Sequence, residues 1–290
     1  MKKQLLLMAM ALFSLSSGYA QEEGDDEEEP TPEVVFTKSF QSLIDDAKYL
    51  STSSHYTTGQ SALLDAISAA ETSISSLETN ADVITAMKNL QAVINEFVEA
   101  NGHADATEKV LNNSFDKDGN NSKTITSWTV SNFKQNRRSV SYTTTRGGYS
   151  FTNFAEQWVA APGPLAGSGN MSQVVTGLPA GHYRLTADIF AHNQSYNETC
   201  EEAVGIQLYA NDVVREVGVT GFTDNDGAAF SLDFDVAEGE EPTIGFRFEN
   251  TNVNWLGWDN VTLYYIGDPE AYNSIVNAEK LAALKEATAT

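Results

Sequence analysis

The spacing of the apolar residues changes between residues 101 and 108. Before this point they recur every three or four positions, which is the period of an amphipathic helix. After it they alternate with polar residues, which is the period of a half-buried strand. A chain that uses the two periods in separate parts is expected to fold as a helical domain followed by a β domain. The predicted fold class is therefore multidomain α and β, and 290 residues suffice for it.

A small bundle of three helices is predicted for residues 32–101. Each helix has one apolar stripe, and the short connections favour an up-down-up order of neighbouring helices. Thr79 and Asp82 resemble a capping box at the start of the third helix, with Asp in place of the usual Glu. The stripes cover residues 36–50, 63–77 and 83–97.

An antiparallel β-sandwich of two sheets is predicted for residues 104–267. Here several short runs have one apolar face each, and they are separated by turn-forming Gly, Pro, Asn and Asp residues. Asp268 and Pro269 then open a further helix over residues 268–290. The clearest alternating runs are 182–190, 204–209, 230–236, 244–249 and 260–265.

The N-terminal segment has the pattern of an export signal followed by a spacer. Residues 1–20 combine Lys2 and Lys3 with a short apolar run and small residues before Gln21, as a secretory signal peptide does. Residues 21–31 are mostly acidic. Their charges repel one another and they bury no apolar surface, so this stretch is expected to be a disordered linker. We therefore expect a secreted protein or one exposed at the cell surface.

The charge balance excludes several classes of partner. The chain has 17 Lys and Arg against 40 Asp and Glu, a formal net charge of −23. It therefore lacks the cations that nucleic-acid binding or docking on an anionic membrane requires. Beyond the signal peptide, no segment is long and apolar enough to span a bilayer. The single cysteine, Cys200, allows neither an intramolecular disulfide nor a Cys-cluster zinc site.

Catalytic motifs are missing from the sequence. It contains no Gly-x-Ser-x-Gly elbow, no His-Glu-x-x-His and no Gly-Lys-Ser/Thr phosphate loop. A pair of carboxylates for glycoside hydrolysis stays open, but no spacing singles out such a pair. We expect a protein that is not an enzyme and has no catalytic residue.

Three segments resemble the galactose-binding-like jelly rolls of carbohydrate-binding modules. They are an opening segment, a central strand and turn, and a closing strand, in the order that the family has. The resemblance implies a jelly-roll sandwich that binds carbohydrate without catalysis. With the bundle and the signal peptide, the chain resembles secreted or surface proteins of gut Bacteroidetes. The segments are LNNSFD at 111–116 with SWT at 127–129, SQVVTGLPAGHY at 172–183, and TNVNW at 251–255 with WDNVTLYY at 258–265.

The same resemblance implies a structural calcium ion. Its ligands would be Asp116 of the opening segment and Asp259 of the closing strand, and such oxygen ligands from distant segments would tie the chain ends together. The stretch after Asp116 does not match an EF-hand loop, because its Gly119 stands at the fourth position and not at the sixth. Without metal, Asp259 is expected to cap a turn or to bind backbone.

Five residues of the sandwich are candidates for binding a sugar. Sugars stack on exposed aromatic rings, while charged and amide groups hold their hydroxyls. Tyr209 and Tyr264 lie out of phase with the apolar residues of their strands, and Trp255 lies in a polar segment. Arg247 and Gln207 lie on the outer phase of their strands and could supply hydrogen bonds.

Three classes of function stay open at this point. The favoured one is a non-catalytic carbohydrate-binding protein whose sandwich stacks sugar on aromatic rings, with the bundle as a spacer or an independent second module. The second is a structural or adhesion protein whose sandwich contacts a protein partner, and a flat polar outer face would favour it. The third is a glycan-acting hydrolase, which would need two facing carboxylates in a deep cleft.

Overall fold

The structure is a computed structural model that describes residues 35, 37–118, 124–132, 143–160, 163–192, 202–218 and 227–289. The predicted signal peptide and acidic linker lie outside these residues. Among the helices of the described ranges, none combines the length and apolar character that a bilayer crossing requires.

The three helices of the N-terminal half are confirmed. They are α1 (Lys38–Thr52), α2 (Gln60–Ser73) and α3 (Asn80–Ala100). The capping box is present, because the Thr79 hydroxyl accepts a hydrogen bond from the amide of Asp82, and the Asp82 carboxylate accepts one from the amide of Thr79.

The predicted antiparallel sandwich with a C-terminal helix is also confirmed. One sheet, called sheet A, has the order β1-β12-β7-β10 with β5 also paired to β12, and sheet B has the order β2-β6-β11-β8-β9. Strands β3 and β4 form a separate hairpin. The strands are β1 (His103–Asp105), β2 (Thr129–Ser131), β3 (Thr143–Arg146), β4 (Tyr149–Thr152), β5 (Ala155–Trp158), β6 (Ser168–Val174), β7 (Gly181–His192), β8 (Ile206–Ala210), β9 (Val213–Glu216), β10 (Gly227–Val236), β11 (Thr243–Glu249) and β12 (Trp255–Ile266), and helix α4 (Pro269–Ala289) follows.

Alternation along the strands builds the core between the two sheets. Leu185 of β7 and Leu208 of β8 are fully buried, as the period of two predicts for one face of each sheet. The rings of Phe246 in sheet B and Trp258 in sheet A lie 5.4 Å apart, centroid to centroid. This contact joins the inner faces of the sheets.

The helices cover the outer face of sheet A. Arg184 of β7 lies 3.5 Å from Asp46 of α1, and the Tyr56 hydroxyl donates to Asp233 of β10. Residues 33–290 form one compact unit, and a single apolar core runs through the helices and the sandwich. This differs from the expectation of two independent modules. The alternation in the strands of sheet A predicts which face lies in the core, but it does not predict that helices pack on the other face.

Candidate functional site

A cleft of about 630 Å³ lies on the outer face of sheet B. Strand alternation creates its floor, because Gln207 and Tyr209 of β8 point away from the core that holds Leu208. Arg247 of β11 is paired with Gln207 on one side and with Asn170 of β6 on the other. The register therefore brings three of the five predicted sugar-binding residues, Gln207, Tyr209 and Arg247, into one cleft.

Tyr209 is held flat in the cleft floor. It is paired with Gly245 of β11, where an added Cβ would lie only 2.7 Å from the end of the tyrosine ring. The missing side chain therefore lets the ring lie across the neighbouring strand. Its hydroxyl donates to Oδ1 of Asn170 at 2.8 Å, and only 7% of Tyr209 is exposed. The expectation of a freely exposed stacking ring is therefore wrong for Tyr209.

Arg247 is the exposed cation of this cleft. Its Nε donates to Oε1 of Gln207 at 2.5 Å, and its guanidinium carbon lies 5.0 Å from the centre of the Tyr209 ring. The amide of Gln207 in turn donates to Glu216 of β9. Among the described residues, Gln207 is the one hydrogen-bond acceptor of the guanidinium, so its outer N–H groups face the cleft.

Most of the other residues that line the cleft are polar. No local pattern in the sequence marks Asn170 as a site residue, since only the pairing of β6 with β11 places it beside Arg247. The amide and hydroxyl groups around the guanidinium can donate and accept hydrogen bonds in several directions. The lining residues besides Gln207, Tyr209 and Arg247 are Ser131, Asn132, Ser168, Gly169, Asn170, Gly205, Phe248, Glu249 and Asn250.

The structure corrects the assignment of Trp255 as an exposed platform. This residue is only 5% exposed and belongs to a small aromatic core on sheet A with Phe151, Phe154 and Phe190. Its indole N–H donates to Glu156 at 2.7 Å, and the guanidinium of Arg146 lies 4.7 Å from its ring centroid. Trp255 is therefore part of the packing of sheet A and does not reach the cleft.

Tyr264 also lies away from the cleft. It is on β12 of sheet A, where it packs edge-on against His103 with 5.1 Å between the ring centroids. It lines a crevice of about 310 Å³ that helix α3 and sheet A form together. The five candidates are thus split, with three in the cleft and two on the opposite sheet.

The two acids implied as calcium ligands are linked through one short segment. The amide of Thr152 donates to Asp259 at 2.9 Å, and Nδ2 of Asn153 donates to Asp116 at 2.5 Å. Burial, together with the charges of Asp188 and Asp116, raises the pKa of Asp259 to about 7, although hydrogen bonds from backbone amides oppose the rise. Oδ1 of Asn153 is buried and has no hydrogen-bond partner. The segment therefore gathers oxygen atoms and uncompensated negative charge, which suits a hard cation.

Comparisons with known proteins return distant similarities to solved structures. No protein-family model matches the sequence, and no curated protein matches it. One similar solved structure is the Stig cyclase Fisc from Fischerella sp. TAU, with 13% identity over 58% of this chain and 100% of that chain, at a TM-score of 0.40. Another is TmCBM61 in complex with β-1,4-galactotriose, with 20% identity over 53% and 96% and a TM-score of 0.31. A third is the K3 adhesin domain of Lys-gingipain from Porphyromonas gingivalis w83, with 18% identity over 56% and 99% and a TM-score of 0.34.

Proposed function

We propose that the protein is an exported, non-catalytic carbohydrate-binding protein that binds a glycan in the cleft on sheet B. The observation that carries the proposal is the guanidinium of Arg247, which is exposed in a concave surface with its outer N–H groups free of described partners. Asn170 and Gln207 flank it with amide groups, and Tyr209 supplies the edge of one ring. Sugar hydroxyls both donate and accept, so this mixture of groups suits them.

The binding mode proposed here differs from stacking. Because Tyr209 is 7% exposed and partly covered by Arg247, the ring offers little surface to a sugar face. Hydrogen bonds from the guanidinium and the amides are then the main source of affinity, and hydrogen bonds to a charged group are the stronger kind, at about 1.5–3 kcal/mol each.

Replacing Arg247 with alanine is expected to weaken glycan binding by roughly tenfold or more, since the variant loses charge-assisted hydrogen bonds. A glycan array probed with the full chain identifies the ligand, and isothermal titration calorimetry then compares wild type with Arg247→Ala. The control is Lys280→Ala, which removes an exposed cation on α4 whose Nζ lies 2.9 Å from Glu108. A glycan that binds all three proteins equally would contradict the proposed cleft.

A protein-binding structural or adhesion role is the second candidate. It is favoured by the burial of Tyr209 and Trp255, two of the three aromatic rings that were candidates for sugar stacking. In that case the array yields no glycan, and Arg247 contributes to a contact with a protein surface.

We also propose that calcium binds to Asp116 and Asp259, with the orphaned Oδ1 of Asn153 as a further ligand. Seven or eight oxygen ligands are within the usual range for this ion, so waters would complete the shell. The ion would supply positive charge to the buried carboxylate of Asp259 and would link the opening segment to the closing strand.

Removing calcium with a chelator is expected to lower the melting temperature by about 5 °C if the ion was present at a hundredfold excess over its dissociation constant. Asp259→Asn keeps the shape of the side chain and should remove this sensitivity, while Glu241→Ala, at an exposed acid elsewhere, should retain it. Differential scanning calorimetry with and without chelator measures both effects. An unchanged wild-type melting temperature would argue against the ion.

A further inference from the structure

A second group of metal-binding side chains lies where the helices meet sheet A. The loop between α1 and α2 brings His55 over the sheet, and the register pairs His182 of β7 directly with Asp235 of β10. One ligand atom from each of the three residues lies within 4.8 Å of the other two. Nδ1 of His182 is 2.9 Å from Oδ1 of Asp235, and Nε2 of His55 is 3.5 Å from the same oxygen.

The other nitrogen of His182 already has a fixed partner. Nε2 lies 3.0 Å from Oδ2 of Asp233, a buried carboxylate that also accepts hydrogen bonds from Arg184 and Tyr56. Because Asp233 accepts hydrogen bonds from Arg184 and Tyr56, it acts as an acceptor, and Nε2 of His182 is placed to donate to it. A carboxylate behind a histidine is the usual arrangement around metal-bound imidazoles, where it sets the tautomer and the ring orientation.

The contact between His182 and Asp235 requires a positive charge. When the proton is on Nε2, Nδ1 presents a lone pair, and a lone pair 2.9 Å from a carboxylate oxygen is repulsive. A second proton on the imidazole relieves this repulsion, and so does a metal ion that binds both atoms once they have moved apart to about 3.4 Å. A metal ion at this place could also bind Nε2 of His55, because that nitrogen faces the same carboxylate oxygen.

We propose that His55, His182 and Asp235 bind one Zn²⁺ ion, with Asp233 as the partner that orients His182. Two imidazole nitrogens and a carboxylate are a donor set that zinc takes, with water as the fourth ligand. Water can reach the site because the side chains of His55 and Asp235 are 41% and 73% exposed.

Binding requires one local movement. The rings of His55 and His182 are stacked with centroids 3.9 Å apart and planes 4° apart, whereas each ring must point a nitrogen at the ion. Zinc bonds of about 2.0–2.1 Å place tetrahedral ligand atoms about 3.4 Å apart. The atoms of His182 and Asp235, now 2.9 Å apart, must therefore separate slightly, whereas the 3.5 Å between His55 and Asp235 already fits. His55 can turn out of the stack because it lies on an exposed loop, while His182 stays fixed by Asp233. The ion then joins the loop of the helical part to two strands of sheet A.

The test uses the full chain, stripped of metal and returned to a buffer with millimolar calcium, so that a calcium site stays filled. Titration calorimetry with zinc chloride is expected to give one site per chain in wild type. His55→Ala and Asp235→Asn should each weaken zinc binding by more than the roughly 10–100-fold typical for loss of a partner behind a ligand. Both residues are exposed, so these variants are expected to fold, which Asp233→Ala or His182→Ala need not do.

The control variant is His103→Ala, which removes another histidine that faces a carboxylate, with Nδ1 3.2 Å from Glu99, outside the triad. It should bind zinc as wild type does. At a hundredfold excess over the dissociation constant, zinc should raise the wild-type melting temperature by about 5 °C and leave that of His55→Ala unchanged. Cobalt in place of zinc should give the visible absorption of a tetrahedral site in wild type alone. Absence of binding to wild type, or equal binding to His55→Ala, would overturn the proposal.

Discussion

Replacing Arg184 with alanine is expected to lower the free energy of unfolding by about 3–5 kcal/mol, the range for a buried ion pair that loses one partner. Arg184 is 3% exposed, and its guanidinium donates to Asp233 and to Ser231, at 2.6 Å in each case. It also lies 3.5 Å from Asp46 of α1. Its removal leaves the buried carboxylate of Asp233 without its nearest cation and leaves Asp46 with Arg215 alone, at 3.8 Å.

The pKa shifts of Asp233 and Asp46 show that Arg184 acts on both carboxyl groups. Burial alone would raise the pKa of Asp233, but Arg184, together with hydrogen bonds from His182 and Tyr56, holds it below its ordinary value. Burial raises the pKa of Asp46, and Arg215 and Arg184 oppose that rise. Asp233 therefore depends chiefly on Arg184 to stay charged inside the protein, while Asp46 depends on Arg215 and Arg184 together.

Urea denaturation of the Arg184→Ala variant measures the effect. The matched control is Lys280→Ala, which breaks the exposed pair with Glu108 and is expected to cost about 1 kcal/mol or less. If Arg184→Ala lowered the free energy of unfolding by less than Lys280→Ala does, the carboxylates near Arg184 would already be neutral or hydrated in the folded protein.

The order of structural elements could be predicted because it depends on local patterns. The capping box at Thr79 and the alternation in β7, β8, β10 and β11 are set by neighbouring residues, and each appears in the structure. The same alternation put Gln207, Tyr209 and Arg247 on the outer face of sheet B, since a strand's phase is fixed once its buried residues are identified.

The residues that pack against the outer face of a sheet could not be predicted from the sequence. Trp255 was expected to be exposed, but it packs into an aromatic core on sheet A. Phe190, in the same core, lies over Gly257 of β12, where an added Cβ would lie 2.1 Å from its ring. Single-strand periodicity cannot reveal such cross-strand packing, because it depends on which strands become neighbours. His55 and Asp235 meet for the same reason, although 180 positions separate them.

Removing the helices is expected to abolish cooperative unfolding of the sandwich. On its outer face, sheet A carries Arg184 and Asp233, both almost fully buried, and α1 supplies Asp46 to this network. Glu202, just before β8, is also buried, and it accepts hydrogen bonds from the amide and hydroxyl of Ser39 on α1. A chain without the helices would expose these groups, and it would also lose every helical side chain in the shared apolar core.

Calorimetry separates this expectation from that of independent modules. The chain should unfold in one transition whose calorimetric and van't Hoff enthalpies agree. A fragment of residues 102–290 should give no sharp transition. Deletion of residues 281–289, whose side chains are exposed on α4, should change the melting temperature little, because few contacts are lost. If the fragment 102–290 melted cooperatively within a few degrees of the full chain, the sandwich would be an independent module, and the contacts of Arg184 and Glu202 with α1 would add little stability.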